Sequence, residues 1–205
     1  MRFLDAAEVT LAGAACFVMR SGYTGEDGFE ISAPAAIAAV LAQQLLSDPQ
    51  VGLAGLGARD SLRLEAGLCL YGSDLDAVTT PVQAALEWAI PAVRRSGGER
   101  AGGFPGAEPI LQQLAHGAAE RRVGLRSDQR PVRAGATLYA DESAGTPLGR
   151  VTSGGFGPSL NAPIAMGYVP ASLARPGERL YAQLGQRRYA VTVSVLPFIE
   201  HRYRR

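Results

Sequence analysis

Apolar residues alternate with polar ones, or recur every three to four positions, along most of this 205-residue chain. Cys16-Phe17-Val18-Met19 and Phe29-Glu30-Ile31 are short apolar runs separated by Ser21-Gly22-Tyr23-Thr24-Gly25-Glu26-Asp27-Gly28. This reads as a β-hairpin with a tight, acidic loop. Gly25 and Gly28 suit turn positions that would strain other residues. Glu30 lies between Phe29 and Ile31, so it points to the opposite face from both. With those two facing the core, Glu30 faces solvent or a cleft.

Further along, Ala35 to Leu46 has helical spacing, with Pro34 at the first helical position and Ser32 or Ala33 before it. Asp60 to Ala66 reads as a short helix capped by Asp60 and closed by Gly67. Thr80-Pro81-Val82-Gln83 has the form of a capping box and predicts a helix to about Ile90. Arg94 to Gly103 is polar and Gly-rich and reads as a linker or mobile loop. Gly106 to Ala115 predicts one more helix. From Arg121 the pattern changes to short β-rich runs at 123–125, 137–139, 149–152, 165–169, 180–184 and 189–193, punctuated by Gly and Pro. These predict a small antiparallel barrel or sandwich. The expected fold class is therefore α+β, with residues 1–105 as one unit of strands and helices and residues 106–205 as a β-barrel domain.

Composition narrows the function. Charged residues make up 19% and the net charge is +1, so the balance points to no nucleic-acid partner. No apolar run is long enough for a membrane span. All 20 basic residues are Arg, which excludes a Schiff-base lysine and pyridoxal phosphate chemistry on this chain. Cys16 and Cys69 fit no metal spacing and read as small buried hydrophobes in a reducing compartment. His116 and His201 form no ligand pair and read as surface residues. Ser153-Gly154-Gly155-Phe156-Gly157-Pro158-Ser159 lacks the spacing of a phosphate loop and reads as a barrel turn shaping a cleft. Arg121-Arg122 reads as a solvated strand edge.

The stretch Ser21 to Glu30 closely resembles the folate-binding stretch of the aminomethyltransferase of the glycine cleavage system, the T-protein. Three further stretches match in order: Leu53 to Gly72, containing Ala58-Arg59-Asp60, then Val151 to Leu160, then Ala165 to Val169. The resemblance implies a folate-binding domain followed by a barrel, with tetrahydrofolate as co-substrate and the lipoylated H-protein as partner. It implies transfer of a one-carbon unit from the aminomethyl group on the lipoyl arm to tetrahydrofolate, with release of ammonia. The expected setting is the bacterial cytoplasm, or the mitochondrial matrix in a eukaryote.

The resemblance also implies site residues. Glu30 matches the glutamate that contacts the pterin, and a carboxylate pairs well with an adjacent amino group and ring N–H. Arg59 matches the arginine against bound folate; a cation near a helix start is disfavoured by the macrodipole unless it faces an anion. Trp88, on the helix opened by Thr80, implies packing along the folate site, with core packing as the competing reading. Tyr203, five residues past Phe198, matches a tyrosine that reaches back to the folate. No acid here matches the family's mechanistic aspartate, so no catalytic residue and no metal ligand is assigned. The family's first half has no counterpart, so the chain reads as a C-terminal portion beginning inside the folate-binding domain. Two alternatives are a folate-binding module without chemistry and a folate-dependent domain of a dimethylglycine- or sarcosine-oxidising enzyme. A third is a piece that folds only with a complementary chain. The purified chain is expected to show no turnover with loaded H-protein and tetrahydrofolate; measurable methylene-tetrahydrofolate formation would overturn that expectation.

Overall fold

The computed structural model describes residues 1–143 and 145–204. Three antiparallel strands open the chain: β1 (Ala6–Leu11), β2 (Ala14–Met19) and β3 (Glu30–Ser32), in the order β1-β2-β3. Ala12 and Gly13, at φ 48° and 78°, make the tight turn between β1 and β2, the mirror-image geometry that matches strand twist. Val18 pairs with Ile31 and Met19 with Glu30. Glu30 therefore lies on the opposite face from Ile31, as strand alternation requires. Cys16 and Val18 are buried, while Phe17, Phe29 and Ile31 are exposed. Helix α1 (Ala35–Leu46) buries no side chain, and Pro34 is its cap with ψ 136° rather than its first helical residue.

Helix α2 runs from Leu56 to Glu65 with Gly55 as its cap. It starts four residues earlier than expected, so Asp60 lies inside it. There Asp60 accepts from the Arg63 guanidinium at 2.8 Å instead of capping backbone N–H groups. The Thr80 capping box does form: Gln83 N–H donates to Thr80 Oγ1 at 3.1 Å and Thr80 N–H to Gln83 Oε1 at 2.9 Å. The expected helix does not follow, because Ala85 turns at φ 56°. The carbonyls that would propagate it are used elsewhere. Gln83 O accepts from Arg122 N–H at 2.7 Å and Ala84 O from the Arg122 guanidinium at 2.8 Å. Only short 3-10 turns, Glu87–Ala89 and Ala92–Arg94, come after. Arg122 is thus buried at 5% exposure, not part of a solvated edge. Arg121 is paired with Glu87. The stretch 94–103 folds back on itself, with Arg100 N–H on Val93 O at 3.0 Å and the Arg94 guanidinium on Gly102 O at 3.1 Å. Helix α3 (Ala107–His116) packs Ile110 against Val82 and Ile90.

Six antiparallel strands then close a barrel: β4 (Glu120–Arg126), β5 (Thr137–Tyr139), β6 (Gly149–Gly157), β7 (Ala162–Pro170), β8 (Arg179–Leu184) and β9 (Arg187–Ser194). Their order around it is β4-β7-β6-β5-β8-β9. Closure leaves no free edge, and this decides for a barrel over a sandwich. Ser153 to Gly157 continues strand β6, correcting the expected turn, which falls at 158–161. Gly154 is needed there because a Cβ would lie 1.9 Å from Val132 O. The barrel interior holds Leu125, Leu138, Val151, Val169, Leu180 and their neighbours. The other side of β7 is buried too: Ile164 and Met166 pack against Leu64 of α2, Leu196 and Phe198.

Helix α2 is anchored to the barrel by polar bonds as well. Arg63 donates to Asp74 Oδ2 at 2.8 Å and to Ser153 Oγ at 2.9 Å. Asp74, 1% exposed, also accepts from Leu70 N–H at 2.9 Å, Ser153 Oγ at 2.8 Å and the Thr152 hydroxyl. Glu65 accepts from Ser159 N–H at 2.7 Å and Ser159 Oγ at 2.8 Å. Removing one member of a buried ion pair leaves an uncompensated charge. Asp74→Ala is expected to destabilise the chain by about 3–5 kcal/mol, with Asp74→Asn losing less; equal denaturant midpoints for Asp74→Ala and the parent would contradict this.

Candidate functional site

The Ser21–Gly28 loop adjoins the expected ligand residues and is pinned from several sides. Arg20, buried at its base, forms an ion pair with Asp27 and donates to Met1 O at 2.7 Å. Ser21 Oγ donates to Glu30 Oε2 at 2.6 Å. That bond orients the Glu30 carboxylate on its exposed edge strand and occupies only part of its acceptor capacity. Tyr23 reaches across to α2. Its hydroxyl donates to Cys69 O, and the Arg59 guanidinium lies over its ring, 4.7 Å from the centroid. Burial pushes the Tyr23 phenol above its ordinary pKa, so it remains a neutral donor. Stacking on an aromatic face fixes the plane of a guanidinium while leaving its N–H groups open to an anion.

Two of the four expected ligand residues are thus organised by one loop: Glu30 through Ser21 and Arg59 through Tyr23. Arg59 sits in the first turn of α2 and is exposed. Tyr203 docks beside the same loop. Its ring stacks on Phe3 at 4.0 Å and 8°, and Arg202 N–H donates to Gly25 O at 2.8 Å. Trp88 is placed differently from expectation. It lies on a 3-10 turn and is 75% exposed, outside the packed core of this chain. His201 is not a plain surface residue: its Nε2 donates to Ala66 O at 2.8 Å. His116 is exposed. Cys16 is buried, and burial raises the pKa of the half-buried Cys69 thiol. Among the described residues no group of His, Cys, Asp and Glu gathers as a metal site, and no helix is long and apolar enough to cross a membrane. Sequence reading missed Ser21 and Tyr23 as the supports of the site. The only local signal was an aromatic residue inside a turn between Gly22 and Thr24.

A carboxylate and a stacked guanidinium held by one loop fit a planar, hydrogen-bonding ligand that also bears an anionic group. Comparison with known proteins places the chain in a family. Residues 1–94 match the family model of the GCVT N-terminal domain, and residues 120–200 that of the glycine cleavage T-protein C-terminal barrel domain. The chain is 48% identical over 205 residues to the mitochondrial aminomethyltransferase of Flaveria trinervia, covering 99% of this chain and 49% of that protein. It is 47% identical over 202 residues to the human mitochondrial aminomethyltransferase, covering 98% and 49% respectively. The glycine cleavage system aminomethyltransferase T of Bartonella henselae superposes with a TM-score of 0.90 at 47% identity, over 100% of this chain and 55% of that one. The chain belongs to the glycine cleavage T-protein family. It spans about half the length of the curated relatives it matches.

The loop carries a pH dependence of its own. The Arg20 guanidinium, by its hydrogen bond and its charge, holds the Asp27 carboxyl below its ordinary pKa. A depressed carboxyl contributes order that is complete above the usual carboxylate range, about pH 4, and lost as the pH falls through the lower, folded value. Amide exchange in residues 21–28 is expected to rise below about pH 4 beyond its intrinsic pH dependence. In Asp27→Asn the rise should already be present at neutral pH; a variant that matches the parent at both pH values would contradict the assignment.

Proposed function

We propose that this chain serves tetrahydrofolate-dependent aminomethyl transfer, with the Ser21–Glu30 loop and Arg59 forming one wall of the folate site. The observation that carries the reading is the pairing of Glu30 and Arg59 through Ser21 and Tyr23. Glu30 accepts from the amino group and adjacent ring N–H of the pterin, a bidentate charge-assisted arrangement. Arg59, fixed on Tyr23, meets the anionic glutamate tail. Tyr203 and the exposed Trp88 supply further surface for the ligand. No residue of this chain is assigned a proton-transfer or nucleophilic role. The donor of the one-carbon unit is the aminomethyl-lipoyl arm of the H-protein, and the products are methylene-tetrahydrofolate and ammonia.

The relatives named above are aminomethyltransferases, which favours this reading over a folate-dependent demethylating domain. Residues 1–105 are proposed as the folate-facing unit and residues 106–205 as the barrel unit, with Ile110 of α3 packing back across that limit. The setting is the compartment of the lipoylated partner, bacterial cytoplasm or mitochondrial matrix. Calorimetric titration of the chain with tetrahydrofolate is expected to show saturable binding, weakened about tenfold or more in Glu30→Ala, as loss of a charge-assisted bond dictates. Saturable binding that is unchanged in the variant removes Glu30 from the site. The absence of binding by either removes the folate reading for this chain on its own.

A further inference from the structure

We infer that the C-terminal segment Pro197–Arg204 is a strap that positions the Ser21–Gly28 loop, and that its main chain and the Tyr203 ring do this work. The inference rests on the proposed folate site for its functional meaning, though not for its geometry. The loop has no regular secondary structure, so its conformation depends on contacts from outside. The strap supplies them in sequence.

Phe198 N–H and Ile199 N–H both donate to Glu65 O, at 2.9 and 3.0 Å, and so tie the strap to the end of α2. His201 Nε2 donates to Ala66 O at 2.8 Å, one residue further on. Arg202 N–H then donates to Gly25 O at 2.8 Å, joining the strap to the loop. Finally Phe3 N–H donates to Arg204 O at 2.8 Å, and the rings of Phe3 and Tyr203 stack. The approach is close enough that Gly25 has to be glycine. It holds φ 79°, and a Cβ there would lie 2.9 Å from Ala66 Cβ and 3.3 Å from His201 Cδ2. By contrast, the Arg202–Glu26 ion pair is long, 3.6 Å, with both side chains well exposed. Such a pair contributes little.

Gly25 lies between Tyr23, which holds Arg59, and Glu30. The strap is therefore a positioning element for both ligand residues. Tyr203 can present its hydroxyl to a ligand while its ring is committed to Phe3.

Hydrogen exchange of the full chain, read peptide by peptide, tests this. Arg202→Pro removes the N–H that reaches Gly25, whereas Arg202→Ala keeps it and removes only the exposed ion pair. Tyr203→Leu removes the stack, whereas Tyr203→Phe keeps it. Arg202→Pro and Tyr203→Leu are expected to raise exchange in residues 21–28 about tenfold, with β4 to β9 unchanged. Arg202→Ala and Tyr203→Phe are expected to retain the loop's protection. The strap is overturned if both disruptive variants leave loop exchange unchanged, or if exchange rises equally throughout the barrel. Tetrahydrofolate titration of the same variants separates the two claims. Affinity that falls in step with loop protection supports both. Loop opening in the variants with no folate binding by the parent chain upholds the strap and removes the folate reading for this chain on its own. Affinity lost in Tyr203→Phe with the loop still protected assigns the hydroxyl to the ligand and leaves the strap standing.

Discussion

The buried pair of Arg63 and Asp74 is the contact on which the arrangement of this chain depends. Two charges taken out of water are tolerated only when they face each other and their remaining donors and acceptors are filled. Here they are: Asp74 accepts from Arg63, Leu70 N–H, Thr152 and Ser153 together. Those partners come from α2, from the turn after it and from strand β6. One carboxylate therefore ties α2 and the turn after it to a strand nearly eighty residues further on. The apolar contact of Leu64 with Ile164 and Met166 supplies burial without direction. The hydrogen bonds of Arg63 and Glu65 on either side of it select one orientation of the helix on the barrel.

That orientation also sets where Arg59 lies. Only the C-terminal turn of α2 is buried; residues 56–60 are exposed. The helix therefore carries Arg59 beyond the barrel, one turn from Arg63, where the Tyr23 ring meets it. The loop bearing Tyr23 is held in turn by Arg20 at its base and by the strap at Gly25. Barrel, helix and loop, with the proposed ligand residues Glu30 and Arg59, thus form a set of linked supports.

The two ends of the sequence differ in how completely they are buried. The barrel encloses a continuous apolar interior. The region of β1, β2, β3 and α1 leaves Phe17, Phe29, Ile31, Val40 and Leu45 exposed, and β1 and β3 are edge strands. Exposed apolar side chains in such number, beside open strand edges, are features that folded chains normally cover.

Local patterns determined a good deal by themselves. Alternation placed Glu30 opposite Ile31, helical spacing located α1 and α3, and Gly- and Pro-bounded apolar runs located all six barrel strands. The Ser21–Glu30 and Ala58-Arg59-Asp60 motifs pointed to the family and to two residues that the fold holds from one loop. Each of these rests on interactions between residues near in sequence, or on a motif of fixed spacing. Tertiary structure decided the rest. Thr80 and Gln83 formed their capping box, yet Arg122, some forty residues on, took the carbonyls a helix needed. Asp60 resembled a cap, but α2 extended past it and left it as a partner of Arg63. Ser153 looked like part of a turn and became a buried hydroxyl on Asp74. Nothing adjacent in sequence marked Ser21 and Tyr23 as supports, or the last residues as a strap. Their roles arise from partners brought together only when the barrel closes and α2 docks, because a hydrogen-bonding group takes whichever partner the fold delivers and not the nearest one along the chain.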